Sequence, residues 1–583
     1  MLDDVINAPR TDAIYNMHGY LTKVPVQAII PLIREFTPAD GWVVDMFAGS
    51  GMTAIASKMA GRNAVVSDIS RLGQHIGQGY LTEVNQREFA ENAGRLVAES
   101  RREVGWLYDT FHSRTGERFE AVRAVWSFVY VCPECEFKAN YYEMMKAANW
   151  DKKKMVCPGC GNLFDKKRSE YFGDEPVITV VKKEGEKQLE QPFSDYDRNM
   201  VAEAERMNFR DRMPSAEITP DREMYHRSAL KKWNTTNTRD FFSQRNSAVL
   251  FDLWRRIQSL DDAGLRKKLL FVFTAILPRA SRRYQWSPNA PLNAANQNYY
   301  IAPVFYEWNV YELFMRKVSA CLKSDHMIFD SLEADLDTAQ RYVVASAENL
   351  DHLDDNSIDF VFTDPPFGSN IFYSDMNLFQ EVWLGVTTDH DREAVIRTTG
   401  GQREGSVGRY TDLLTGAFRE AYRVLKPGGV LSIVFGNSKG SVWAMAQRAF
   451  RDAGFTGKPV RINILDKGQR SVKGLASGTE GVATLDLVVS LRKGDEVEKK
   501  ERHDDWSDSE TVQAVVDKYA DMQGMTASHL YLEVLRQTIY EDREVGSIDL
   551  GNILDALGRA GYSVSTDTGK IFKGLAADSG VST

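Results

Sequence analysis

At 583 residues, 43% hydrophobic and 26% charged, the chain has the make-up of a soluble globular protein and is too long for one ordinary core, so three or four units are expected. Its formal charge of -9 excludes a uniformly basic nucleic-acid coat but leaves room for a local basic groove. No apolar run approaches a membrane span, and the opening MLDDVINAPR lacks the basic start and apolar stretch of an export signal, so a cytoplasmic protein without a membrane partner is expected.

The N-terminal stretch holds His18-Gly19-Tyr20 and Lys23-Val24-Pro25, then an amphipathic helix pattern through Ile29, Ile30, Leu32 and Ile33. A short β run at Trp42 to Asp45 follows, then the turn Phe47-Ala48-Gly49-Ser50-Gly51, then a helix start at Met52. A second strand, Ala64 to Ser67, ends at Asp68 and completes a βαβ unit. Gly49 and Gly51 allow a tight turn and close approach of a ligand, the helix start favours an anionic group, and Asp68 can accept bonds from ribose hydroxyls. These features point to a nucleoside cofactor. Gly49 to Ala54 also satisfies the dinucleotide pattern G-x-G-x-x-A, which leaves a nicotinamide or flavin as the competitor. Asp45, just before the turn, has no use in that competing reading.

Residues 86 to 111 read as a charged helix, and 124 to 131 as a β segment running into Cys132-Pro-Glu-Cys135. A second pair, Cys157-Pro-Gly-Cys160, lies about twenty residues on, within a lysine-rich stretch. Two such knuckles match a four-cysteine structural Zn2+ site, and with four thiolates filling the shell the metal is not catalytic. Residues 171 to 245 look extended and loop-rich. Helices follow near 244–260 and 265–277, then Arg282, Arg283, an Asn-rich loop at 289–298, and the aromatics Tyr299, Tyr300, Phe305, Tyr306, Trp308 and Tyr311, which are read mainly as core.

The α/β pattern resumes at Tyr342 to Ala345. The apolar run Ile358 to Phe362 stops at Asp364-Pro365-Pro366-Phe367, because neither proline has an amide to continue a ladder. A glycine-rich loop, a helix at 411–424, a strand at 430–435, a helix at 442–453 and strands near 460–464 and 483–489 complete the sheet. Residues 498–510 read as a charged linker and 511–575 as a small helical or winged module with a hairpin near Tyr562.

With Phe47-Ala48-Gly49-Ser50-Gly51 in front and Asp364-Pro365-Pro366-Phe367 behind, the chain resembles the amino-group DNA methyltransferases, and more closely the zinc-ribbon-containing adenine-specific DNA methylases. The likeness covers most of residues 12 to 495, including Phe241-Phe242-Ser243-Gln244-Arg245 and the run from Tyr373-x-Asp375 to Trp383-Leu384. It implies a Rossmann-like S-adenosylmethionine-dependent α/β fold interrupted by a large insertion with the zinc ribbon, plus a small C-terminal helical module. The expected units are 1–84, the cofactor half; 85–215, with the ribbon at about 124–168; 216–330, helical and the candidate for target recognition; 331–497, the catalytic half; and 498–583. Asp364, Pro365, Pro366 and Phe367 are the implied catalytic set. Asp45, Phe47, Gly49, Gly51, Asp68 and Glu348 are the implied cofactor set, with Glu348 standing in because Ser346 occupies a position that is often acidic. Cys132, Cys135, Cys157 and Cys160 are the implied zinc ligands. Asp before Pro-Pro tilts the implied acceptor toward adenine N6, flipped out of duplex DNA, with restriction or phage-defence subunits as candidate partners. An RNA base methyltransferase, a cytosine-N4 enzyme, or a zinc-ribbon DNA-binding protein with an inactive fold are the alternatives.

Overall fold

Short runs of β-branched and aromatic residues build the main sheet of the computed structural model. It describes residues 5–573 apart from 183, 184, 186, 229, 289–298, 331–336, 367, 369, 370, 398–402, 438, 467–484, 495–507, 523, 524, 542, 544, 546, 547 and 566–568. Edge to edge the strands are Val5–Asn7, Arg461–Asp466, Asp486–Arg492, Leu425–Phe435, Ile358–Thr363, Trp42–Asp45, Asn63–Asp68 and Gln340–Val344. All pairs are parallel except those of Asp486–Arg492, which is antiparallel to both its neighbours. The chain steps outward from Trp42–Asp45 to Asn63–Asp68 and Gln340–Val344, then returns to the other side of Trp42–Asp45 as Ile358–Thr363. That reversal opens a crevice beyond the carboxyl ends of two adjacent strands, where open α/β sheets take their ligands.

Side chains alternate between the sheet's two faces, and each face has its own core. Val43, Ala64, Val66, Phe360 and Phe362 look into one; Val44, Val65, Val361 and Leu431 look into the other. Helices from the middle of the chain, Gln86–Val104, Gln244–Gln258, Ala263–Ala280 and Val310–Phe329, close over the first core. Phe271 lies so near Gly79 that a Cβ there would sit 2.4 Å from its ring, and it meets Tyr80 edge-on at 4.8 Å. The middle segment therefore shares a core with the cofactor half. The second core is completed by Arg403–Val424, Gly440–Asp452 and the C-terminal helices Asp508–Tyr519, Ala527–Tyr540 and Leu550–Arg559. The Tyr531 hydroxyl donates to the Asn437 carbonyl (3.0 Å), which ties the tail to the sheet. A two-stranded ribbon, Tyr562–Val564 with Ile571–Lys573, follows. The expected linker at 498–510 falls almost wholly outside the described residues, as does the Asn-rich loop.

A second sheet of Val304–Trp308, Arg123–Val131, Glu170–Val181 and Leu189–Pro192, with Lys138–Asn140 added on Arg123–Val131, lies in the middle segment. Its presence corrects the loop-rich expectation for 171–245. Gly173 and Pro176 sit beside two shifts of register, opposite Val129/Tyr130 and Val125/Trp126, so the strand Glu170–Val181 carries its turn-forming residues at bulges. The helix Asp195–Met207 has a capping box, with the Ser194 and Asp197 side chains each accepting from the other's backbone amide. Tyr299, Phe305, Tyr306 and Tyr311 are buried as expected, whereas Tyr300 is exposed. No helix among the described residues is long and apolar enough to cross a membrane.

Arg245 pins this sheet. It pairs with Glu307, both side chains being almost inaccessible, and Glu307 also accepts from the Ser243 hydroxyl and from the Trp126 indole (2.8 Å). Breaking a buried pair from one side strands the other charge, so Arg245→Met is expected to cost about 3–5 kcal/mol, read as a lowered urea midpoint. Glu307 is held below its ordinary pKa, although burial opposes this, because Arg245 and its donors favour the carboxylate. That contribution is present above pH about 4.3 and is lost as the pH falls through the depressed value.

Candidate functional site

The crevice is a cleft of about 890 Å3 of empty space, open mouth included, lined from both halves of the chain. Asp45, Phe47, Gly49, Asp68, Asp364 and Pro366 all line it. They arrive there because Trp42–Asp45, Asn63–Asp68 and Ile358–Thr363 are consecutive strands of the sheet. Gly49 (φ +48°) and Gly51 (φ +77°) hold left-handed conformations that an L side chain resists, and Gly51 caps the helix Met52–Met59 from behind the cleft wall. A Cβ on Gly49 would lie 2.8 Å from the ring of Tyr20. The Gly49 carbonyl is in turn fixed by the Tyr342 hydroxyl (2.6 Å).

Two carboxylates hold the turn. Asp45 accepts from the Phe47 amide (3.0 Å) and from the hydroxyls of Thr53 (2.6 Å) and Thr363 (3.2 Å), so it joins the turn to the strand before Asp364. Asp68 accepts from the Gly49 amide (2.8 Å) and the Ser70 amide (2.8 Å). Each carboxylate oxygen has a second lone pair, so Asp68 can still receive ribose hydroxyls. Burial pushes Asp45 up to about 7 and raises Asp68.

On the opposite wall the helix Tyr373–Glu381 begins at the cleft. Glu393 caps it, accepting from the Tyr373 and Ser374 amides and the Ser374 hydroxyl, and burial pushes Glu393 up to about 7. Tyr373 stacks on Tyr20 with centroids 6.1 Å apart, and its hydroxyl meets Thr22 Oγ1 at 2.6 Å. Burial raises the Tyr373 phenol, and the charge of Asp364 adds to this. Pro365 is buried and does not line the cleft; the Pro366 carbonyl accepts from the Tyr410 hydroxyl (2.5 Å). Phe367 lies outside the described residues.

Glu348 does not reach the cleft. A turn closed by the Asn349 amide on the Ser346 carbonyl (3.0 Å) carries it outward to an exposed position against Gly416, and buried Ser346 lines the cleft instead. Tyr20, Tyr373, Asn377 and Glu393 line the cleft without having been singled out as site residues. Tyr20 belongs to the His18-Gly19-Tyr20 run and Tyr373 to Tyr373-x-Asp375, so both stood in noted stretches; no local pattern marks Glu393.

The lining is predominantly acidic, with Asp45, Asp68, Asp364 and Glu393 against Lys23 and Arg392. Lys23 already donates to the carbonyls of Tyr15 and His18, the latter at 2.7 Å. A dinucleotide would bring a doubly charged pyrophosphate into this set, whereas a sulfonium-bearing nucleoside brings a positive charge. The acidic set fits the positive charge of a sulfonium-bearing nucleoside such as S-adenosylmethionine.

The four cysteines converge on one another and are not part of the cleft lining. Their sulfurs all lie within 4.8 Å of one another, with Cys132–Cys160 at 3.9 Å and Cys135–Cys157 at 3.7 Å. Zinc–sulfur bonds of about 2.3 Å at tetrahedral angles require roughly 3.8 Å between sulfurs, so the set fits Zn2+. The knuckles share one backbone pattern: the Glu136 amide donates to Cys132 and Cys132 to Phe137, as Gly161 does to Cys157 and Cys157 to Asn162. Glu136 and Gly161 both take positive φ to make it.

No match was found among curated proteins. Among solved structures the chain is similar to TTHA0409 of Thermus thermophilus, a candidate DNA modification methylase. The selenomethionine derivative gives 19% identity over 28% of this chain and 56% of that one at a TM-score of 0.17, so the chain spans little more than half of it. A second structure of the same protein gives 20% identity, 28% and 58% coverage and 0.17, and its complex with S-adenosyl-L-methionine 19%, 37% and 83%, and 0.18. Superpositions at these scores carry no architectural weight, and the fold rests on the strand order. Residues 7–77, which contain Asp45, the glycine turn and Asp68, match the family model of the N6/N4 methyltransferases, described as DNA methylase, and that match supports a DNA methylase of the N6/N4 class.

Proposed function

We propose that the chain methylates the exocyclic N6 of adenine within a specific sequence of duplex DNA, using S-adenosylmethionine. The observation that carries this reading is the meeting of the glycine turn, Asp68 and Asp364 in one cleft at the sheet's reversal. Asp45, Phe47, Gly49 and Asp68 would hold the cofactor, which supplies an electrophilic methyl on a positively charged sulfur. An adenine amine is a poor nucleophile because its lone pair is delocalised into the ring. Asp364, which lines the cleft, accepts a hydrogen bond from the amine, which draws the nitrogen toward a tetrahedral shape and localises the lone pair; the Pro365 carbonyl, expected as the second acceptor, belongs to a buried residue outside the lining. Phe367 stacks on the base after it leaves the duplex. Alignment and local electrostatics supply the rate, and no covalent enzyme intermediate is needed. Asp before Pro-Pro favours adenine over cytosine, by the resemblance already drawn. The four cysteines hold structural Zn2+.

The test is transfer of labelled methyl from S-adenosylmethionine to duplex DNA, followed by digestion to nucleosides. Label in N6-methyladenine is the expected result. Label in N4-methylcytosine would replace the acceptor, and label in RNA alone would overturn the DNA reading.

A further inference from the structure

The chain is acidic overall, yet residues 146–168 hold six lysines and one arginine against two aspartates. Some of these charges are spent locally, as in Lys154–Asp151 (3.6 Å) and Arg168–Glu134 (3.1 Å). Lys152, Lys153, Lys166, Lys167, Lys231 and Lys232 have no carboxylate partner among the described residues. Like charges are also held together rather than dispersed. Lys232 Nζ lies 3.5 Å from the Lys166 carbonyl, and the charges of Lys152 and Lys232 add to burial in lowering the Lys166 ammonium.

The cluster is connected to the cleft. Lys231 stands over the ring of Tyr225 (5.7 Å), and Arg227 over the ring of Phe372 (4.6 Å), the residue before cleft-lining Tyr373. Arg227, Lys231, Lys232 and Lys152 are exposed, while Glu223, which pairs with Arg227 (3.3 Å), is buried. The connecting segment is pinned to the catalytic half by Arg222 on Asp375 (3.0 Å) and by the Met224 amide on the same carboxylate (2.9 Å). A run of cations therefore extends from the segment held on Asp375 toward the second zinc knuckle, where Lys232 meets the Lys166 carbonyl.

We propose that Arg227, Lys231, Lys232, Lys166 and Lys152 bind the phosphate backbone of the duplex flanking the target base, with the zinc knuckle as the far anchor. The proposal rests on the DNA reading above. A row dominated by lysine ammonium groups, four of its five members, suits a uniform line of phosphates better than base edges, so it holds DNA irrespective of sequence.

The test is fluorescence anisotropy of labelled duplexes with the full chain carrying K152A, K166A, K231A and K232A together, across a series of salt concentrations. With about 0.9 counterions released per phosphate contact, the slope of log K against log salt becomes shallower by about 3–4, equally for target and non-target duplexes. S-adenosylmethionine binding in calorimetry reports that the variant is folded, and the matching four Lys→Arg changes restore the slope. An unchanged slope overturns the row, as does loss confined to RNA or to a protein ligand. Duplex binding that depends on these lysines, in a protein that transfers no methyl to DNA, would defeat the enzymatic reading and leave the row standing. Normal methyl transfer with an unchanged slope would do the reverse.

Discussion

Asp364→Ala is expected to lower methyl transfer by about 10²–10³-fold or more, the range seen when one preorganised hydrogen-bonding partner of a transition state is removed. The dissociation constant for S-adenosylmethionine should stay unchanged, because Asp45, Asp68 and the glycine turn are tied together by their own hydrogen bonds, independently of Asp364. Asp364→Asn should keep part of the activity, since an amide oxygen still accepts one hydrogen from the amine. Single-turnover transfer separates these outcomes from changes in binding. Equal loss of cofactor affinity and rate in Asp364→Ala would mean that the residue holds the cleft together rather than the acceptor. Normal transfer would remove it from the mechanism.

Loss of the metal should be the largest effect on stability. Cys132 directly follows the strand Arg123–Val131, and Phe164 beyond the second knuckle packs on Tyr130 of that strand (5.8 Å), so the four sulfurs clamp the second sheet. Structural zinc is worth about 10–16 kcal/mol in isolated fingers. Loss of about 5 kcal/mol of this, at roughly 2–4 °C per kcal/mol for a unit of 150–250 residues, lowers melting of the middle segment by about 10–20 °C. Cys157→Ser should therefore bind less than one zinc per chain and melt early, and a chelator should reproduce the shift in the wild type. Acidification should release the metal, because the ligands must be thiolates. A protein isolated without zinc and indifferent to chelator would refute the site.

Much of the cleft lining was legible because its parts are local. The strand, turn and helix around Asp45, Gly49 and Gly51 occupy one continuous stretch from Trp42 to Met59, the Pro-Pro stop announces the end of a strand, and each cysteine pair is its own knuckle. Glu393 and Tyr20 were not legible in that way, since they meet the cleft only when segments more than 350 residues apart close on each other. Glu348, expected beside the cofactor, stands exposed outside the lining while Ser346 lines the cleft, because the turn from Ser346 to Asn349 sets which side chain faces in. The strand Glu170–Val181 was hidden by Gly173 and Pro176, which signal a loop unless the bulges that accommodate them are known. Strand alternation identifies strands but not their neighbours, so the reversal between Asn63–Asp68 and Ile358–Thr363 became visible only in the sheet.

The sheet also sets a timetable for synthesis. Asn63–Asp68 waits for its outer neighbour, Gln340–Val344, and Trp42–Asp45 for Ile358–Thr363, each across about 270 or more residues of intervening chain. At roughly 5–20 residues per second a ribosome needs on the order of 15–60 seconds to deliver them. During that interval the first two strands can pair only with each other, and the face that Arg403–Val424 and the C-terminal helices will cover stays bare. The middle segment, which packs helices on the other face through Phe271 and Gly79, is made before the sheet can close and covers it in the meantime.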